Sequence, residues 1–138
     1  MRFTSWRSLV LVSVVAVGAV LVAALPAFAA DDAAPAKISV LIVDGQNNHN
    51  WKATTPAIKE MLGKTGRFTV EVATTPPQKA EKEAWDKFRP DFAKYGAVLM
   101  NYNGDSWPEE VRKSFEKYMT DGGGLVFYHA GVFAFADW

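Results

Sequence analysis

The sequence contains no cysteine. Disulfide cross-links, thiolate nucleophiles and cysteine-ligated metals are thereby excluded, and stability has to come from the packed core alone. An excess of charge is missing too: fifteen Lys and Arg balance fifteen Asp and Glu, with no block of either sign. A nucleic-acid partner would call for a basic stripe, so none is expected. Histidine is scarce, and the two present, His49 and His129, lie far apart in the chain. Neither H-x-x-H nor H-E-x-x-H spacing occurs. A metal site from His49, His129 and Asp44 has no motif behind it, and no metal or cofactor is expected. Internal repeats are also lacking.

What is present begins with an export signal. Arg2 and Arg7 precede an uncharged apolar run from Leu9 to Leu25, followed by Pro26 and the small-x-small triplet Ala27-Phe28-Ala29. That order defines a secretory signal peptide over residues 1–29. The run, about 17 residues, is at the lower limit for crossing a bilayer, so a retained anchor is the alternative and the only membrane contact expected. Removing residues 1–29 leaves 109 residues, in which thirteen basic side chains face fifteen acidic ones. A chain of this size buries about two-thirds of its unfolded surface, enough for one domain. The expected location is periplasmic or extracellular.

Residues 30–37 read as a flexible lead-in, and residues 38–138 as an α/β domain. Ile38 to Val43 is a nearly continuous β-branched run, as in a strand buried on both faces. Thr55 and Pro56 suit a helix start, with Ala57, Ile58, Met61 and Leu62 as its apolar stripe and Gly66 as its stop. Phe68 to Val72 alternates and reads as an edge strand. A weak helix over 80–88 precedes a third strand at 97–100. Ser106 and Glu109 form a capping-box pattern before a helix whose stripe is Val111, Phe115, Tyr118 and Met119. Three glycines at 122–124 end that helix, and Leu125 to Tyr128 is a fourth strand.

Alternating strands and helices predict a flavodoxin-like parallel sheet in the order 2-1-3-4, with helices on both faces. No helix follows strand four to cover its face, which suggests a domain truncated there.

In such sheets ligands sit beyond the carboxyl ends of the strands. Strand one leads into Asp44, Gln46, Asn47, Asn48, His49 and Trp51; strand three into Tyr102 and Asn103; strand four into His129. Both histidines therefore fall at one edge, and His49, Asn103 and His129 are expected to share a crevice. Imidazole is the side chain suited to proton transfer near neutral pH. Amides offer both donors and acceptors to hydroxyl-rich ligands, and Trp51, Tyr102, Trp107 and Trp138 offer flat faces. Structural alternatives stand beside these: Asp44 capping its own loop, asparagines serving as turns, aromatics serving as core lids.

Residues 43–51 (VDGQNNHNW), 101–108 (NYNGDSWP) and 122–130 (GGGLVFYHA) together resemble the ThuA-like family. The resemblance implies a class I glutamine amidotransferase-like fold and a role in the utilisation of trehalose or other sugars. Domains of that family are normally longer than this chain, which also implies truncation. The amidotransferase fold presents a nucleophilic cysteine after the fourth-type strand, where this chain has His129. An imidazole forms no stable thioester, so glutaminase chemistry is excluded. Ala130 and Gly131 leave no hydroxyl for a serine mechanism, and Val132 and Phe133 stand where the family pattern is usually polar.

The expectation is an exported ThuA-like domain that binds or acts on a carbohydrate or sugar-derived carbonyl compound. His129 and His49 would be proton carriers, Asp44 would orient one of them, and Asn103 would hold a hydroxyl. The rivals are a non-catalytic binding or scaffolding domain and an inactive fragment of a longer protein. For processing, intact-mass measurement of the exported protein should give a chain starting at Ala30; a mature protein that keeps Met1 would contradict it.

Overall fold

In this computed structural model, residues 35–135 and Trp138 are described. The expected signal peptide and residues 30–34 of the lead-in lie outside the described residues. Four parallel strands form one sheet in the order β2-β1-β3-β4. They are β1 (Ile38–Asp44), β2 (Phe68–Thr74), β3 (Ala97–Met100) and β4 (Gly124–Phe127). β1 pairs with β2 along its whole length, from Ile38 opposite Phe68 to Asp44 opposite Thr74. Its other edge pairs with β3, and β3 pairs with β4. The sheet is the expected flavodoxin-like arrangement. Among the described residues no helix is long and apolar enough to cross a membrane.

β1 is buried on both faces, and its alternation divides the core in two. Leu41 and Val43 join Val98 and Met100 of β3 against helix α3 (Glu109–Thr120), which supplies Val111, Phe115 and Tyr118. Aromatic rings fill this layer. Phe92 is fully buried, stacks on Trp107 at 5.8 Å between centroids and meets Phe115 edge-on at 5.1 Å. Such offset and edge contacts add to the burial of large apolar area. Val40 and Ile42 face the other layer, where helix α1 (Trp51–Lys64) packs on β1 and β2 and buries Ile58.

Two helix starts differ from the sequence expectation. α1 begins at Trp51, not at Pro56 behind a Thr55 cap. Asn50 is its N-cap, its side chain accepting from the Ala53 N–H at 3.3 Å. Pro56 is thus inside the helix and forgoes the bond to the Lys52 carbonyl. α3 forms no capping box: Pro108 occupies the N-cap position without a side-chain bond, and Ser106 is exposed. Glu109 and Glu110 in the first turn provide the favourable charge at that end instead. The expected helix over 80–88 is one turn, α2 (Lys82–Trp85), although Trp85 and Phe88 are still buried.

The stripe of α1 is only partly covered. Met61 is 60% exposed, and with Ala57 it lines a shallow apolar cleft shared with Tyr128. β4 is covered only at its start, where Leu125 packs on the aromatic layer; Val126 and Phe127, and Tyr128 after them, are exposed. The sequence pattern anticipates this uncovered face.

Phe92 sits at the centre of the aromatic layer, and its removal leaves a cavity walled by Trp107, Phe115 and Tyr118. Phe92→Ala should cost about 3–5 kcal/mol in denaturant unfolding. A loss below about 1 kcal/mol would show that this layer is loosely packed.

Candidate functional site

Parallel pairing sends the carboxyl ends of all four strands to one edge, and the loops there hold each other. Gly45 leaves β1 at φ +116°, in a conformation that disfavours a side chain, and passes so close to Thr75 that a methyl group would collide with it. The next residue, Gln46, is buried and ties three loops together. Its amide N–H donates to Pro76 O at 2.8 Å, its amide oxygen accepts from the Asp105 N–H at 2.8 Å, and its carbonyl accepts from the Asn103 N–H at 2.9 Å.

Asn101, at the end of β3, makes a second brace. Its side-chain amide donates to Thr54 Oγ1 and Thr55 Oγ1 of α1, both at 3.0 Å, and accepts from Asn47 at 3.3 Å. Asn47 in turn accepts the His49 N–H at 2.9 Å. A buried amide saturated in this way locks strand end, helix and loop into one arrangement. Thr55, expected to cap α1, is instead buried as a partner of Asn101.

Two features result at this edge. The first is an open cavity of about 430 Å³ between the loops after β1, β2 and β3. Gln46, Asn47, Asn48, Trp51 and Asn103, all proposed from sequence as ligand-binding, line it. The second is the histidine pair. His49 and His129 meet edge-on with ring centroids 4.4 Å apart, bridging the loops after β1 and β4. Both are exposed. His129 is held at φ +46°, left-handed for a residue with a side chain, which costs about 1–2 kcal/mol. The turn is fixed by Gly131, which packs so tightly on the Met100 carbonyl that no side chain fits there.

Several sequence expectations are corrected by these positions. Neither histidine lines the cavity, so His49, Asn103 and His129 do not share one crevice; the β1 loop contributes to both features side by side. Asp44 does not orient a histidine. Its carboxylate is buried and accepts from Thr74 Oγ1 at 2.7 Å, on the β2 side. Tyr102 is not available to a ligand: it is fully buried between Trp107 and Phe135, its hydroxyl bonds the Asp105 carbonyl, and burial pushes the phenol well above its ordinary range. Trp138 packs on Phe115 and Phe135, with its indole N–H donating to Glu116 at 2.6 Å, and is part of the α3 layer.

Sequence reasoning missed Lys52 and Gln78, which complete the polar lining. Gln78 follows β2, so applying the carboxyl-end rule to the second strand as well would have found it. Lys52 was overlooked because α1 was expected to begin five residues later.

A family model for ThuA, described as trehalose utilisation, matches residues 39–138. The chain belongs to the ThuA family. A crystal structure of a ThuA-like protein from Parabacteroides merdae is similar, with 42% sequence identity and a TM-score of 0.70. The similarity covers 74% of this chain but 36% of that one, so this ThuA-family chain spans about a third of the length of its structural relative. No curated protein matches it.

Asn101 is the residue on which the local geometry turns. Asn101→Ala should cost about 2–3 kcal/mol, because two threonine hydroxyls lose their donor and the Asn47 amide keeps only the backbone carbonyl of residue 101. Amide NMR shifts of the Asn47–Asn50 loop should move with it. An unchanged loop and melting temperature would show that Asn101 is not the brace.

Proposed function

We propose that this ThuA-family chain is exported and binds a carbohydrate or a sugar-derived carbonyl compound at the carboxyl edge of its sheet. The observation that carries this reading is the cavity lining: Asn47, Asn48, Asn103 and Gln78 surround the half-buried Trp51. Primary amides offer the paired donors and acceptors that vicinal hydroxyls need, and an indole face suits the apolar side of a sugar ring. The volume is within the range of small-molecule sites. The family description, trehalose utilisation, agrees in chemistry. Export rests on the signal-peptide pattern at residues 1–29.

In this reading the chemistry comes from the histidine pair, which lies outside the cavity lining but beside it on the same rim, so a ligand must extend past Asn48 to reach it. One imidazole can take the proton from the hydroxyl-bearing carbon beside a keto group while the other protonates the keto oxygen. Return of a proton to the former keto carbon of the enediol, with loss of one from the neighbouring hydroxyl, isomerises the sugar without a cofactor. Neither a glutaminase nor a serine-hydrolase mechanism finds a nucleophile at the turn after β4, where His129, Ala130 and Gly131 stand. A second reading, a binding domain without turnover, is supported by one observation: the carboxylate expected to orient a histidine is held by Thr74 instead.

Calorimetric titration with trehalose, glucose and a keto derivative of each tests the binding claim. Saturable binding that Trp51→Ala and Asn48→Ala each weaken about tenfold is the expected result. No binding of any of the four at about 10 mM, a floor set by millimolar affinity, would overturn it. His129→Gly separates the two readings. Glycine accepts the left-handed turn, so the variant should stay folded, gain up to about 1 kcal/mol and lose turnover of the keto-sugars while still binding them. Wild-type protein that binds without turnover supports the second reading.

A further inference from the structure

We infer that the cavity prefers carbohydrates bearing an anionic group, a carboxylate or a phosphate, and that Lys52 is the residue that recognises it. This rests on the carbohydrate reading of the same cavity. Among the side chains lining it, Lys52 carries the only formal charge, and no carboxylate shares the space. Five lysines elsewhere are paired with acids: Lys64 with Glu60, Lys82 with Asp86, Lys94 with Asp91, Lys113 with Glu109 and Lys117 with Asp121. Lys52 forms no ion pair among the described residues. Its ammonium stands over the Trp51 ring, 5.6 Å from the centroid, within reach of an anionic substituent on a ligand that meets the indole.

The helix that carries Lys52 does nothing to neutralise it. α1 has no acidic residue in its first turn, and Asn50 caps that turn with a neutral side chain. The one carboxylate at the end of β1, Asp44, is buried and committed to Thr74. A neutral sugar would make ordinary hydrogen bonds to the amides and leave the ammonium unpaired. A uronate or a sugar phosphate would make the same bonds with its ring and add charge-assisted ones to Lys52. The cavity volume accommodates a ring with such a substituent.

The test compares glucose, glucuronate and glucose 6-phosphate by calorimetric titration on the intact protein, at low and at about 0.5 M salt, where surface charge is screened. Acetate and inorganic phosphate serve as anions without a ring. At low salt at least one of the two anionic sugars should bind about five- to tenfold tighter than glucose, and the pair identifies whether carboxylate or phosphate is preferred. The preference should shrink in high salt, vanish in Lys52→Met and persist in Lys52→Arg, with the melting temperature unchanged in both. Glucose binding as tightly as both anionic sugars would overturn this inference while leaving the carbohydrate reading intact. Binding of acetate or phosphate as tightly as the sugars would overturn it as non-selective anion binding. Failure of all three sugars to bind would remove the carbohydrate reading together with the inference.

Discussion

The parallel pairing of β1 with a neighbour on each edge is the constraint from which the rest of the structure follows. Strands that run the same way must end at the same edge, and each return journey must cross a face of the sheet. The two crossing helices therefore bury β1 on both sides, while every loop with functional residue types is delivered to one rim. Within that rim the loops are not free to drift. Gln46 and Asn101 satisfy their amides across loop boundaries, so chain segments distant in sequence are held as one surface. A polar network of this kind costs little when complete and much when broken.

The strands were legible because their signals are local. The run from Ile38 to Val43 cannot be half wet, and Phe68 to Val72 alternates as an edge strand must. The sheet order followed from the handedness of crossovers, and the proximity of His49 to His129 followed from the order. What was not legible depends on competition between neighbouring residues. Asn50 outcompetes Thr55 as a helix cap because Thr55 has a tertiary partner that no local pattern reveals. Pro108 takes the cap position that Ser106 was expected to fill, since its ring fixes the backbone where the helix begins.

The site was read at the level of the rim but not of its subdivision. Residue types placed Asn47, Asn48, Trp51 and Asn103 correctly at a cavity. They did not separate that cavity from the histidine pair, because both draw on one loop. Tyr102 illustrates a further limit. It neighbours Asn103 in sequence, yet the alternation of an extended chain turns one outward and the other into the aromatic layer. Trp138 is the same kind of case: a residue whose flat face suits a sugar serves equally well to close a core.

The Gln46 staple also has a dynamic consequence. Its three bonds join the loops after β1, β2 and β3, so none of these loops can swing away from the cavity without releasing another. The Asn103 and Asp105 amide protons, both bonded to Gln46, are therefore protected by a single opening event and exchange with solvent as a correlated pair. Opening any one of these loops costs a bond to the buried Gln46, which favours the three walls of the cavity moving together.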